Sequence, residues 1–116
     1  MNILIQIRET ATDKEIKEFT EGDGNHVFIS HSTDESIAMI SKYVFDKAVI
    51  SLKSINDATI LKYMNDYHQE IKVVVIANKA FDDILSVFQK VNYSVIHEPL
   101  QLSELKNQLS TNLKPA

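Results

Sequence analysis

Val73-Val74-Val75-Ile76-Ala77 is the longest uninterrupted apolar run in the chain, and four of its five side chains are β-branched. It falls far short of the ~20 residues that span a bilayer, and it is too short for a typical buried helix. It therefore reads as a strand covered on both faces, because a half-exposed strand would alternate polar and apolar residues. Ala48-Val49-Ile50 has the same character. On either side, Ile3-Leu4-Ile5-Gln6-Ile7, Val27-Phe28-Ile29 and Tyr93-Ser94-Val95-Ile96 are further short segments suited to strands.

Between these runs the apolar spacing changes to three and four. Thr12-x-x-Glu15 reads as a capping box opening a helix with Ile16 and Phe19 inward. Ser32-x-x-Glu35 opens a second, with Ile37, Ile40 and Tyr43 or Val44 inward. Ile60, Leu61, Met64 and Tyr67 mark a third that begins near Ser54 to Asp57; Phe81, Ile84, Leu85 and Phe88 mark a fourth; Leu102, Leu105 and Leu109 mark a fifth. Only the tail after about Ser110 looks loose. Strict alternation of five strands and five helices predicts an α/β fold, (βα)5, with a doubly wound parallel sheet in the order 2-1-3-4-5. A closed eight-stranded barrel needs roughly twice the length. In such a sheet the ligand crevice lies beyond the strand C-terminal ends, where the first and third strands diverge.

With 116 residues, residues 1–116 are expected to form a single domain. The absence of cysteine excludes disulfides, thiolate metal sites and thiol nucleophiles, and permits a reducing compartment. Gly22 and Gly24 are the only glycines, which sets aside the glycine-rich phosphate loops. Met1 leads directly into a strand with no basic leader, so a soluble, cytoplasmic protein with no membrane contact is expected. Residues 1–35 hold eight acids against Arg8, Lys14 and Lys17, whereas the lysines of the remainder stand singly with no basic stripe, arguing against direct nucleic-acid binding. The histidines His26, His31 and His68 lie on different elements without metal-ligand spacing.

The segment Val91-Asn92-Tyr93-Ser94-Val95-Ile96-His97-Glu98-Pro99-Leu100, followed by Leu102-Ser103-Glu104-Leu105, resembles the G-A-x-D-F-L-x-K-P-F and L-x-x-L pattern of response-regulator receiver domains. Phe45-Asp46-Lys47-Ala48-Val49-Ile50-Ser51-Leu52 is similar to the stretch that ends at the family's phosphorylated aspartate. The resemblance covers nearly the whole chain and implies a flavodoxin-like, receiver-like fold. It also implies a module that can precede an output domain, so the chain can be the N-terminal domain of a longer regulator of transcription.

The family's chemistry uses two acids after the first strand for Mg²⁺, an acceptor aspartate after the third, a hydroxyl after the fourth and a lysine before proline on the fifth. These positions fall on Ile7 and Arg8, on Ser51, on Ala77 and on Glu98. None matches, and shifting the first strand by one residue recruits only Glu9 while turning Ile3, Ile5 and Ile7 to the other face. Three carboxylates and a lysine would carry about −2 before metal binds, whereas Arg8 with Glu98 sums to about zero, so neither Mg²⁺ nor another cofactor is expected. The family's aromatic switch position falls on Val95. Arg8 and Glu98 can bridge across the pocket or both reach solvent. A hydrolase triad from Ser51, His97 and Glu98 or Glu9 is disfavoured, because His97 and Glu98 are adjacent on a strand and point to opposite faces and no glycine elbow surrounds Ser51. The resemblance implies a cis Glu98–Pro99 bond.

The expectation is a degenerate pseudo-receiver, not an enzyme, acting in phosphorelay signal transduction through protein contacts. If it follows the family, the fourth helix, fifth strand and fifth helix present Asp82, Asp83, Val87, Lys90, Tyr93, Leu105 and Gln108 to a protein partner or a second copy. Two alternatives stay open: a working receiver phosphorylated unconventionally, and a small flavodoxin-like enzyme or nucleotide binder.

Overall fold

The computed structural model describes residues 1–7, 14, 16, 18, 24–98 and 102–111. Five parallel strands, β1 (Asn2–Gln6), β2 (His26–Ser30), β3 (Lys47–Leu52), β4 (Lys72–Ala77) and β5 (Asn92–His97), form one sheet in the order β2-β1-β3-β4-β5. This is the expected doubly wound topology. Each strand matches a predicted run to within a residue or two at either end; Ile7, for instance, follows β1 instead of closing it.

The pleat divides the core. Leu4, Ala48, Ile50, Leu52, Val73, Val75 and Ala77 face one side, under helices Thr33–Lys42 and Thr59–Tyr67 and the short helix Asp82–Leu85. Ile3, Ile5, Val49, Val74, Ile76 and Ile96 face the other, joined by Ile7, by Ile16 and by Leu105 of helix Leu102–Thr111. β3 and the last five residues of β4 are buried throughout, which is why they lack alternation in sequence. The outer strands β2 and β5 are half-exposed. No helix among the described residues is long and apolar enough to cross a membrane.

Helix Thr33–Lys42 starts as its sequence dictates, with Ser32 Oγ accepting the Glu35 amide at 3.1 Å. Thr12 and Glu15, the other expected box, lie outside the described residues. Three expectations need correction. Tyr43 and Val44 are 47% and 83% exposed, since the helix ends at Lys42 and the chain turns extended; the Tyr43 ring still meets Phe28, with centroids 4.8 Å apart. Tyr67, at the last position of helix Thr59–Tyr67, is 71% exposed, so that helix is anchored by the buried Ile60, Leu61 and Met64, with Tyr63 packed beside them. The fourth helix is a 3₁₀ turn, Lys79–Phe81, leading into a single α-turn, Asp82–Leu85. Beyond Leu85 the chain makes tighter contacts, Val87 N–H to Ile84 O and Phe88 N–H to Leu85 O. Asn65 Oδ1 then captures the Lys90 and Val91 amides at 2.8 and 3.1 Å and steers the chain into β5.

Candidate functional site

Register brings the predicted positions together. Leu52, Ala77 and His97 are aligned across β3, β4 and β5, and Gln6 pairs with Ile50, so Ile7, Ser51, Ala77 and Glu98 sit at neighbouring strand ends. Ile7, Ser51 and Ala77 are buried, at 5%, 4% and 0% exposure. Among the described residues, these three positions put two apolar side chains and one hydroxyl at the C-terminal edge of the sheet, with no carboxylate among the three. The described residues contain no group of three His, Asp or Glu side chains placed to hold a metal ion. Arg8, Glu9 and Pro99 lie outside the described residues, and with them the Arg8–Glu98 bridge and the Glu98–Pro99 peptide.

Glu98 does have a described partner. Its Oε2 receives a hydrogen bond from Lys53 Nζ at 3.1 Å, with both side chains about one-third exposed. Both ends are held through the backbone. The Glu98 amide donates to Ala77 O at 3.0 Å, and Asp57 Oδ2 accepts the Lys53 and Ser54 amides at 2.8 and 3.0 Å. Lys53 was not singled out in the sequence. The available signal was a lysine one step past β3, level with the glutamate one step past β5.

At the C-terminal ends of β1 and β2, along the same edge of the sheet, polar groups are buried under helix Thr33–Lys42. Ser36 Oγ lies 2.6 Å from Gln6 Oε1 and 2.8 Å from Ser30 Oγ, while the Ser30 hydroxyl donates to Ser32 O at 2.7 Å. Gln6 Nε2 has no partner among the described residues. Proton counting closes when the Gln6 amide is turned so that nitrogen faces Ser36: each hydroxyl then donates its single proton once, from Ser36 to Ser30 to the Ser32 carbonyl. The chain pins the start of this helix to β1 and β2. Between the loop after β2 and the loop after β3, His31, Ser32, Thr33, Asp34, Asn56 and Asp57 line an open polar cleft of about 300 Å³.

The expected contact face is only partly presented. Asp82, Asp83 and Lys90 are exposed and Val87 is 66% exposed, while Tyr93 and Gln108 are half-buried. Leu105 is 0% exposed and supports this face from within the core. Val95 packs against the core on the same side as Tyr93, one pleat earlier, whose hydroxyl donates to Leu85 O at 2.9 Å. A second tie, His97 Nε2 to Asp82 Oδ1 at 3.0 Å, joins the end of β5 to the short helix. At the opposite end of the sheet, Lys47 is 3% exposed, and burial, helped by Lys72 and opposed by Asp46, holds its ammonium below the ordinary lysine value.

Strand order, parallel pairing and helices on both faces define the flavodoxin-like receiver fold. The chain shares this fold with solved response-regulator receiver domains. It superposes on a two-component response regulator from Clostridium difficile with a TM-score of 0.83 at 21% identity, covering 97% of this chain and 95% of that one. The receiver domain of the TMAO respiratory system response regulator TorR gives 0.82 at 14% identity, with 97% and 95% covered. A CheY-like response regulator receiver domain protein from Methanospirillum hungatei JF-1 gives 0.77 at 23% identity, with 96% and 94% covered. No family model matches the chain, and no curated protein does.

Proposed function

We propose that the chain is a receiver-type signalling module that has lost phosphoryl transfer and acts by binding a protein, without catalysing a reaction. The observation that carries this reading is the crevice floor: Ile7, Ser51 and Ala77 stand at adjacent strand ends, and Glu98 occupies the position where receivers keep a cation. A receiver's acyl phosphate forms only on a carboxylate, and Mg²⁺ needs clustered hard oxygens to offset its dehydration. Ser51 offers a hydroxyl at 4% exposure between apolar neighbours, a poor setting for in-line attack by its oxygen on a phosphodonor.

What remains for signalling is a surface. Asp82, Asp83, Val87, Lys90, Tyr93 and Gln108 form the candidate contact face for a protein partner or a second copy, on the short helix, β5 and the last helix. The mixed charge of this face suits a protein and not a nucleic acid or an anionic membrane. In this reading the module takes part in two-component signalling as a contact-dependent element of fixed chemistry. Incubation of the whole chain with a small-molecule phosphodonor and Mg²⁺, read by intact mass, tests it. The expected result is an unchanged mass; a gain of one phosphoryl group that hydroxylamine removes would restore the working-receiver alternative.

A further inference from the structure

We infer that Lys53 and Glu98 form an ionic clasp across the crevice that takes over the conformational role a bound phosphoryl group would have. The inference rests on the non-phosphorylated reading above. Its geometry comes from the register. Leu52, Ala77 and His97 are level, so Lys53 and Glu98 each stand one residue past the level of Ala77, on opposite sides of β4. β3 and β5 are two strand spacings apart, about 10 Å. The 3.1 Å contact between Lys53 Nζ and Glu98 Oε2 therefore strides the end of β4, at the edge of the sheet where Leu52 and Ala77 end their strands.

Three features separate this contact from an ordinary surface pair. First, the backbone at each end is fixed, Glu98 by its amide on Ala77 O and Lys53 by the Asp57 carboxylate, so forming the pair orders two side chains and no loop. Second, its polarity is reversed relative to a phosphorylated receiver, with the cation on the β3 side and the anion on the β5 side. Third, Glu98 directly follows His97, the last residue of β5, which holds Asp82 at 3.0 Å, so the clasp and the tie to the short helix sit on consecutive residues. Opening the clasp removes a side-chain tie between the ends of β3 and β5 and releases the Glu98 side chain next to His97, whose contact with Asp82 leads to the contact face. With both side chains about one-third exposed, the bias toward the closed arrangement is up to about fivefold. It falls with added salt, which screens the pair.

The test is a set of ¹H–¹⁵N NMR spectra of the whole chain: wild type, Glu98→Gln, Lys53→Met and the double swap Lys53→Glu with Glu98→Lys. Both single variants are expected to move the amides of Asn78, Asp82, Val87 and Tyr93 along common lines toward one end point. High salt is expected to move wild type part of the way along those lines, and the swap to return them toward wild type. Shifts confined to the immediate neighbours of each substitution, or a swap that leaves the amides displaced, overturn the clasp. No phosphodonor is present, so failure here leaves the phosphorylation reading standing, and a mass gain in the previous experiment leaves these spectra to be judged by themselves.

Discussion

Asn65→Ala removes one side-chain oxygen that serves two backbone donors 25 and 26 residues away, the amides of Lys90 and Val91 at 2.8 and 3.1 Å. Val91 is 5% exposed, so its orphaned N–H cannot turn to solvent, and leaving it unsatisfied costs about 1–3 kcal/mol. Lys90 is exposed and its amide can recruit water, adding at most about 1 kcal/mol. The expected loss is about 1–4 kcal/mol, read as a fall of about 0.7–2.7 M in the urea midpoint for a slope near 1.5 kcal/mol/M. Hydrogen exchange locates the effect: the Lys90 and Val91 amides should lose protection before β3 and β4 do. Asn65→Asp keeps an acceptor and should recover at least half of the loss, despite placing a negative charge near a helix C-terminus. A loss under about 0.5 kcal/mol, or equal losses for the two variants, would refute the view that Asn65 steers the chain into β5.

Other substitutions check the remaining elements. Leu61→Ala, at a fully buried position, should cost about 2–5 kcal/mol in urea unfolding, whereas Tyr67→Ala on the same helix should stay within about 0.5 kcal/mol. Ser32→Ala, which deletes the acceptor for the Glu35 amide, should cost about 1 kcal/mol, with Ser32→Asp close to wild type. Lys47 gives a pH signature. Its folded-state value lies below the unfolded one because of burial and then Lys72, so between the two values the unfolded chain binds a proton that the folded chain has released, and stability gains with rising pH. Below the folded value both states are protonated and the burial penalty is complete. The stability gap between Lys47→Met and wild type, measured by urea unfolding from roughly pH 7 to pH 10, should therefore shrink as pH rises; a constant gap contradicts the assignment.

The sheet was readable in the sequence because burial on both faces leaves a plain mark. Val73 to Ala77 and Ala48 to Ile50 carry no polar residue, and only strands covered by helices on both sides permit that. Strand order followed from alternation and handedness. Helix extent was harder to read, because apolar spacing continues past the last hydrogen bond. Phe88 keeps helical spacing with Leu85 yet packs on the core from a tighter turn, and Tyr67 sits on the predicted stripe at a helix end that overhangs solvent. At the site, the resemblance to receivers located the positions, and register sets Ser51, Ala77 and Glu98 at neighbouring strand ends. Pairing was not legible. Glu98 bonds Lys53, 45 positions away, and His97 bonds Asp82, because strand register brings them level and no local pattern records that. Gln6 was visible as a polar residue in an apolar strand, but its partners Ser30 and Ser36 emerge only once β2 and the helix after it are packed.

Under the proposed function, the crevice does not accept a phosphoryl group with Mg²⁺. A ¹H–¹⁵N NMR titration of the whole chain with Mg²⁺, then with Mg²⁺ and fluoroberyllate as a phosphoryl mimic, tests this at the crevice itself. The account predicts that the amides of Ile7, Ser51, Ala77 and Glu98 stay in place through both additions. Saturable shifts of Ser51 and Ala77 that require Mg²⁺ and fluoroberyllate together would contradict it.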